Sequence, residues 1–114
     1  MPQGTPRDKK APIVTITSPV YGYYFNSGDP IVIQATATDN RGVGRVEFYF
    51  RESSVPYTLI ASDTTAPYSA TLTFQPVTYT RLVALMVKAI DTAGNFATHE
   101  VYVNILGSDA APTT

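Results

Sequence analysis

The side chains that could do chemistry fall in three places along this sequence. Asp39-Asn40 and Asp91-Thr92-Ala93-Gly94-Asn95 each set carboxylate and amide oxygens in a Gly-containing loop that follows a strand-like run. In a layered β fold two such loops could sit at the same end, and oxygens of Asp39, Asn40, Asp91 and Asn95 could then hold Ca²⁺, a hard ion that takes about six to eight oxygen ligands. The Asp91-x-x-x-Asn95 spacing is not an EF-hand, because it lacks the dense oxygen series and the closing Glu. The same residues also suit turn capping, in which Asx side chains bond nearby backbone and no ion is needed.

Tyr21, Tyr23 and Tyr24 form the second place, in a chain with 8 tyrosines and no tryptophan. An exposed tyrosine offers apolar ring area and a hydroxyl together, which suits a sugar ring or a protein partner. The competing reading is that these rings cap the open end of a core that Phe25 already enters. The lack of Trp weighs against the sugar version. The third place is His99, the sole histidine. A hydrolytic dyad would have to pair it with Asp91 or Glu100. No G-x-S-x-G elbow accompanies it, and a partly solvated strand-end histidine is the simpler reading. With no cysteine in the chain, thiolate nucleophiles, disulfides and cysteine-ligated metals are excluded. No set of players for an enzyme emerges, and no cofactor is required, with Ca²⁺ the one ion the sequence suggests.

The elements that must position these residues are strands. Val, Ile and Thr number 11, 7 and 16, against only 5 Leu. That is a strand former's composition. The 114 residues make one domain, large enough to hide roughly two thirds of the surface of its unfolded chain. Seven segments read as strands: Ile13 to Thr17, Ile31 to Thr38, Arg45 to Glu52, Tyr57 to Ala61, Tyr68 to Phe74, Leu82 to Ile90 and Phe96 to Leu106. Ile31, Ile33, Ala35 and Ala37 share one face. Val46, Phe48 and Phe50 point inward, with Arg45, Glu47, Tyr49 and Arg51 outward on a solvated face. Leu82 to Ile90 is apolar on both faces until Lys88 and reads as central, while the short Tyr57 to Ala61 reads as an edge behind Pro56. Tyr79 suits a tyrosine corner. Gly-, Pro- and Asx-rich breaks separate the runs, and no segment has ten residues of helical period. The fold class expected is all-β: an immunoglobulin-like β-sandwich of about seven antiparallel strands in two sheets.

Residues 1–11 and 107–114 read as flexible linkers around a domain at 12–106. Within 12–106, 5 Lys and Arg against 7 Asp and Glu give a net charge of −2. That balance gives no basic stripe for nucleic acid. No apolar run approaches the roughly 18 residues of a membrane span. The first residues lack the apolar stretch of a signal peptide, so a secreted parent would carry its signal upstream.

Specific strings then become recognisable. They are Pro12-Ile13-Val14-Thr15-Ile16-Thr17-Ser18-Pro19, Gly22 with Phe25, Ala35-Thr36-Ala37-Thr38-Asp39, Gly42 with Val46-Glu47-Phe48-Tyr49, Asp63-Thr64-Thr65-Ala66-Pro67-Tyr68, and Lys88-Ala89-Ile90-Asp91-Thr92-Ala93-Gly94-Asn95. In this order they resemble the bacterial immunoglobulin-like domains of secreted and cell-surface proteins. The resemblance implies an extracellular or cell-surface location and a non-catalytic spacer or accessory module, monomeric in isolation, whose partners are neighbouring domains of the same polypeptide. Some related modules bind sugars, proteins or calcium, and others belong to adhesins or decorate phage or pili. The alternative function is therefore a binding module that grips a glycan, a protein or a cell surface through Tyr21, Tyr23 and Tyr24. The sequence departs from the family at Val20-Tyr21-Gly22-Tyr23-Tyr24, where the usual segment is small and polar.

Overall fold

A computed structural model describes residues 9–76 and 78–107. Eight strands follow one another: β1 (Ile13–Ser18), β2 (Tyr24–Asn26), β3 (Pro30–Thr38), β4 (Val43–Glu52), β5 (Thr58–Asp63), β6 (Tyr68–Thr73), β7 (Arg81–Asp91) and β8 (Phe96–Leu106). They form a smaller sheet, β1-β3-β6, and a larger one, β2-β8-β7-β4-β5. The two inner faces close on one core. Val14, Ile16, Ile31, Ile33, Tyr68 and Ala70 come from the smaller sheet, and Val46, Phe48, Val83, Leu85, Val87, Val101, Val103 and Ile105 from the larger. Alternation produces this directly, because each strand sends every second side chain to the same face. β7 is central between β8 and β4, and β5 is an edge, as the sequence indicates.

Three features of the described residues differ from the sequence expectation. There are eight strands rather than about seven, and one pair is parallel: β2 runs alongside β8, with Tyr24 opposite Asn104 and Asn26 opposite Leu106. Tyr79 is exposed rather than tucked in as a corner. Gly107 is buried, and a Cβ there would collide with the backbone of Thr78 and Tyr79.

The strand ends sort into two poles. At one, Ile13 pairs with Thr38, and the β3–β4 loop meets the β7–β8 loop through the Thr92 N–H, which donates to Gly42 O at 3.3 Å. At the other, Leu106 lies beside Asn26, and the Ser27 N–H donates to Leu106 O at 3.1 Å. β8 runs from the first pole to the second.

Candidate functional site

At the first pole, Asp91 ends β7 and is only 3% exposed. Its Oδ1 accepts the N–H groups of Ala93 and Asn95, both at 2.8 Å, and its Oδ2 accepts from Asn95 Nδ2 at 3.0 Å. The Asp91 N–H in turn donates to Asn95 O at 2.8 Å. The carboxylate therefore closes its own hairpin, and the N–H dipoles around it point positive ends at the place a cation would occupy. Asp39 acts in the neighbouring loop, where Oδ2 accepts from the Arg41 N–H at 2.9 Å. Asp39 Oδ1 is buried without a hydrogen-bond partner, beside a recess of about 240 Å³ that Lys10, Ile13, Thr38 and Asn40 help line. Asn40 is exposed. The Thr92–Gly42 bond brings the two loops together, as a shared site would need. Among the described residues, no group of three or more His, Cys, Asp or Glu side chains could hold a metal.

The tyrosine segment is held by its backbone. The Tyr23 N–H bonds Val20 O at 3.2 Å, with Gly22 at φ +83°, so residues 20–23 make a type II-like turn that needs glycine at its third position. The Gly22 N–H donates to Tyr102 O at 2.6 Å and the Asn104 N–H to Tyr23 O at 2.8 Å, which rivets the turn to β8. The three rings stay exposed, at 71%, 51% and 61% for Tyr21, Tyr23 and Tyr24. They do not share one face. Tyr24 is paired with the outward-facing Asn104, and Tyr21 meets Tyr102 edge-on at 6.0 Å, so both flank the outer face of the larger sheet. Tyr23 packs on Phe25 at 4.8 Å and lines an apolar groove of about 370 Å³ with Pro19, Val20, Pro30 and Val32.

His99 makes a structural contact across the sandwich. Its Nδ1 accepts the Ile16 N–H at 2.8 Å and ties β1 to β8, that is, one sheet to the other. Nδ1 must be unprotonated to accept that bond.

The outer face of the larger sheet carries more than isolated charges. Tyr49 OH donates to Glu47 Oε1 at 2.6 Å, and Arg45 Nε donates to Glu47 Oε2 at 2.8 Å. The Tyr49 hydroxyl is the main reason the Glu47 carboxyl lies below its ordinary 4.5. Partial burial pushes the other way, and Arg45 adds to the lowering. The same bond is the main reason Tyr49 lies above its ordinary 10.0. Arg51 stacks over the Tyr57 ring at 4.4 Å, and Arg81 Nη1 pairs with Glu52 Oε1 at 2.8 Å. Between these groups and Tyr102 lies a cleft of about 450 Å³. Sequence reasoning leaves this cleft out. Outward parity places Arg51 on the outer face, but only strand register sets it in line with Tyr102.

Two sheets sealed by aliphatic side chains, with loops closed by their own Asx groups, define an immunoglobulin-like β-sandwich module. Residues 12–103 match the bacterial Ig domain family, and the chain belongs to that family. A solved fibronectin(III)-like module of Clostridium thermocellum CbhA is 37% identical, with a TM-score of 0.69 over 82% of this chain and 96% of that one. Murine CRIg (12% identity, TM-score 0.47, 86% and 98% covered) and the PKD domain of an M14-like peptidase from Thermoplasmatales archaeon SCGC AB-540-F20 (16%, 0.44, 84% and 93%) are more distant matches. No curated protein matches the sequence. The domain is a non-catalytic accessory and spacer module of the kind found in multidomain extracellular and cell-surface bacterial proteins.

Proposed function

We propose that the domain sets a fixed distance between neighbouring domains of the same polypeptide. The carrying observation is the placement of its ends: β1 begins at one pole and β8 finishes at the other. The 11 residues of β8 cover roughly 35 Å at about 3.3 Å per residue, so each module placed in line adds that length. Stiffness comes from the sealed core, in which Phe48, Ile31, Ile33, Leu85 and Ile105 are almost wholly buried. Small-angle X-ray scattering of one copy against two copies joined in tandem tests this. The maximum dimension should grow by roughly 35 Å per copy. Growth of less than about half that rise would mean the copies fold back side by side, and the spacer geometry would be wrong.

A second reading is favoured by the exposure of the tyrosines. Tyr21 and Tyr24, with Tyr102 beside them, present ring area and hydroxyls on one side of the larger sheet. Such a shelf suits a polysaccharide or a surface protein. Affinity electrophoresis through gels that contain a soluble polysaccharide tests it. Retardation should be lost in a Tyr21→Ala/Tyr24→Ala variant that keeps the wild-type melting temperature.

A further inference from the structure

Paired residues in adjacent strands point to the same side. Arg51 of β4 is opposite Ala84 of β7, and Ala84 is opposite Tyr102 of β8. This row crosses three strands on the outer face, at about 4.8 Å per step. Its middle member is a methyl group between two large side chains. The small residue makes a trough, and the trough is the 450 Å³ cleft, with Leu82 and the Glu52–Arg81 pair along its side. The size is within the range of small-ligand sites, about 300–1,000 Å³.

The lining chemistry is specific. Tyr102 and Leu82 supply apolar surface, and Leu82 is 56% exposed among the described residues. The Arg51 Cζ sits over the Tyr57 ring, 4.4 Å from its centroid, and a guanidinium packed on an aromatic ring can still donate N–H groups to an acid. Arg81 Nη1 donates to Glu52 Oε1, using one of the five N–H donors of its guanidinium. The cleft thus holds two cations and one carboxylate in a domain whose net charge over residues 12–106 is −2. Donors are in surplus over acceptors. A neutral sugar would ask for a balance of the two, whereas a carboxylate matches a guanidinium fork in geometry and sign.

We infer that this cleft is a binding subsite for an acidic polysaccharide, with a hexuronate ring laid on Tyr102 and Leu82 and its carboxylate held by Arg51 and Arg81. The inference deepens the polysaccharide reading of the tyrosine shelf and rests on it, since Tyr21 lies against Tyr102 and extends the same floor.

The test is a titration of the ¹⁵N-labelled domain with trigalacturonate, with its fully methyl-esterified form as the neutral control. Amide shifts should centre on Arg51, Glu52, Leu82, Ala84 and Tyr102. The ester should bind at least tenfold more weakly. An Arg51→Gln/Arg81→Gln variant should do the same while keeping a native spectrum, and Arg51→Gln alone, which leaves the Glu52–Arg81 pair in place, should lose at least threefold. Equal binding of acid and ester would overturn the carboxylate assignment. Shifts confined to residues 20–24 would overturn the cleft while leaving the tyrosine shelf standing. No shifts with either saccharide would remove both for glycans of this class. Matching shifts and affinity with hexaglutamate would overturn the sugar assignment in favour of an acidic peptide.

Discussion

Replacing Asp91 by Ala should destabilise the domain by about 3–5 kcal/mol. The carboxylate is 3% exposed and accepts two backbone N–H groups and one side-chain amide. A hydrogen bond to a charged group contributes about 1.5–3 kcal/mol, and a buried donor left without a partner costs about 1–3 kcal/mol. The methyl of Ala restores none of the three bonds. Water reaching the opened loop relieves part of the loss, which sets the figure below the simple sum. Asp91→Asn should cost less, about 1–2 kcal/mol, because its carbonyl oxygen can still take the Ala93 and Asn95 N–H groups while Asn95 turns its own amide to suit. Domains of this size hold about 5–15 kcal/mol in all, so the Ala variant should remain folded but shift far toward lower urea. Urea unfolding followed by circular dichroism measures both changes. The same curves taken in millimolar calcium and in EDTA separate a cap from an ion ligand. A cap predicts superposed wild-type curves, whereas an ion bound only by the folded state would add stability with each step in concentration. A loss below about 1 kcal/mol for Asp91→Ala would refute the capping argument. So would a calcium-dependent wild-type midpoint that the variant lacks.

His99→Ala should cost about 1–2 kcal/mol by leaving the Ile16 N–H without its acceptor, and amide exchange at Ile16 should quicken by more than the global change explains. Unchanged exchange there would mean that the bond does not join the sheets in solution. The Glu47–Tyr49 pair sets a pH dependence at both extremes. Because the folded state holds Glu47 below 4.5, its contribution is present above that pH and is lost as pH falls through the lowered value. Tyr49, held above 10.0, contributes below that pH and loses its share as pH rises through the raised value. Glu47→Gln should flatten the acid limb in a series of urea midpoints, and an unchanged slope would argue against the pair.

Alternation in the chain is enough to read most of the strands. Ile31, Ile33 and Ala35, or Val46 and Phe48, announce their face by period two because one side of each sheet is buried. β2 is invisible by that route. Three residues carry no period, and Tyr24–Asn26 is a strand only because β8 lies beside it. The candidate site was legible to a different degree at each residue. Asp91 and Asn95 are marked by type and spacing as loop oxygens, but capping and ion binding use the same letters. Only the direction of the Ala93 and Asn95 N–H groups gives the carboxylate its partners. His99 reads in the sequence as a strand-end residue, and the fold brings Ile16 to it across 83 positions.

The sequence by itself determined the fold class, the core faces, the turn positions and the unusual tyrosines, because these depend on local composition and period. Tertiary structure alone decided that Tyr21 meets Tyr102 while Tyr23 turns to a separate groove. It also decided that Arg51, Ala84 and Tyr102 share a row, and that β1 begins at one pole while β8 finishes at the other. Most of these relations join residues far apart in the chain, such as Arg51 and Ala84, or Tyr21 and Tyr102. Period two says which face a residue takes, but which residues of β4 and β7 stand opposite each other depends on pairing across the sheet, where a one-residue slip would reverse every face.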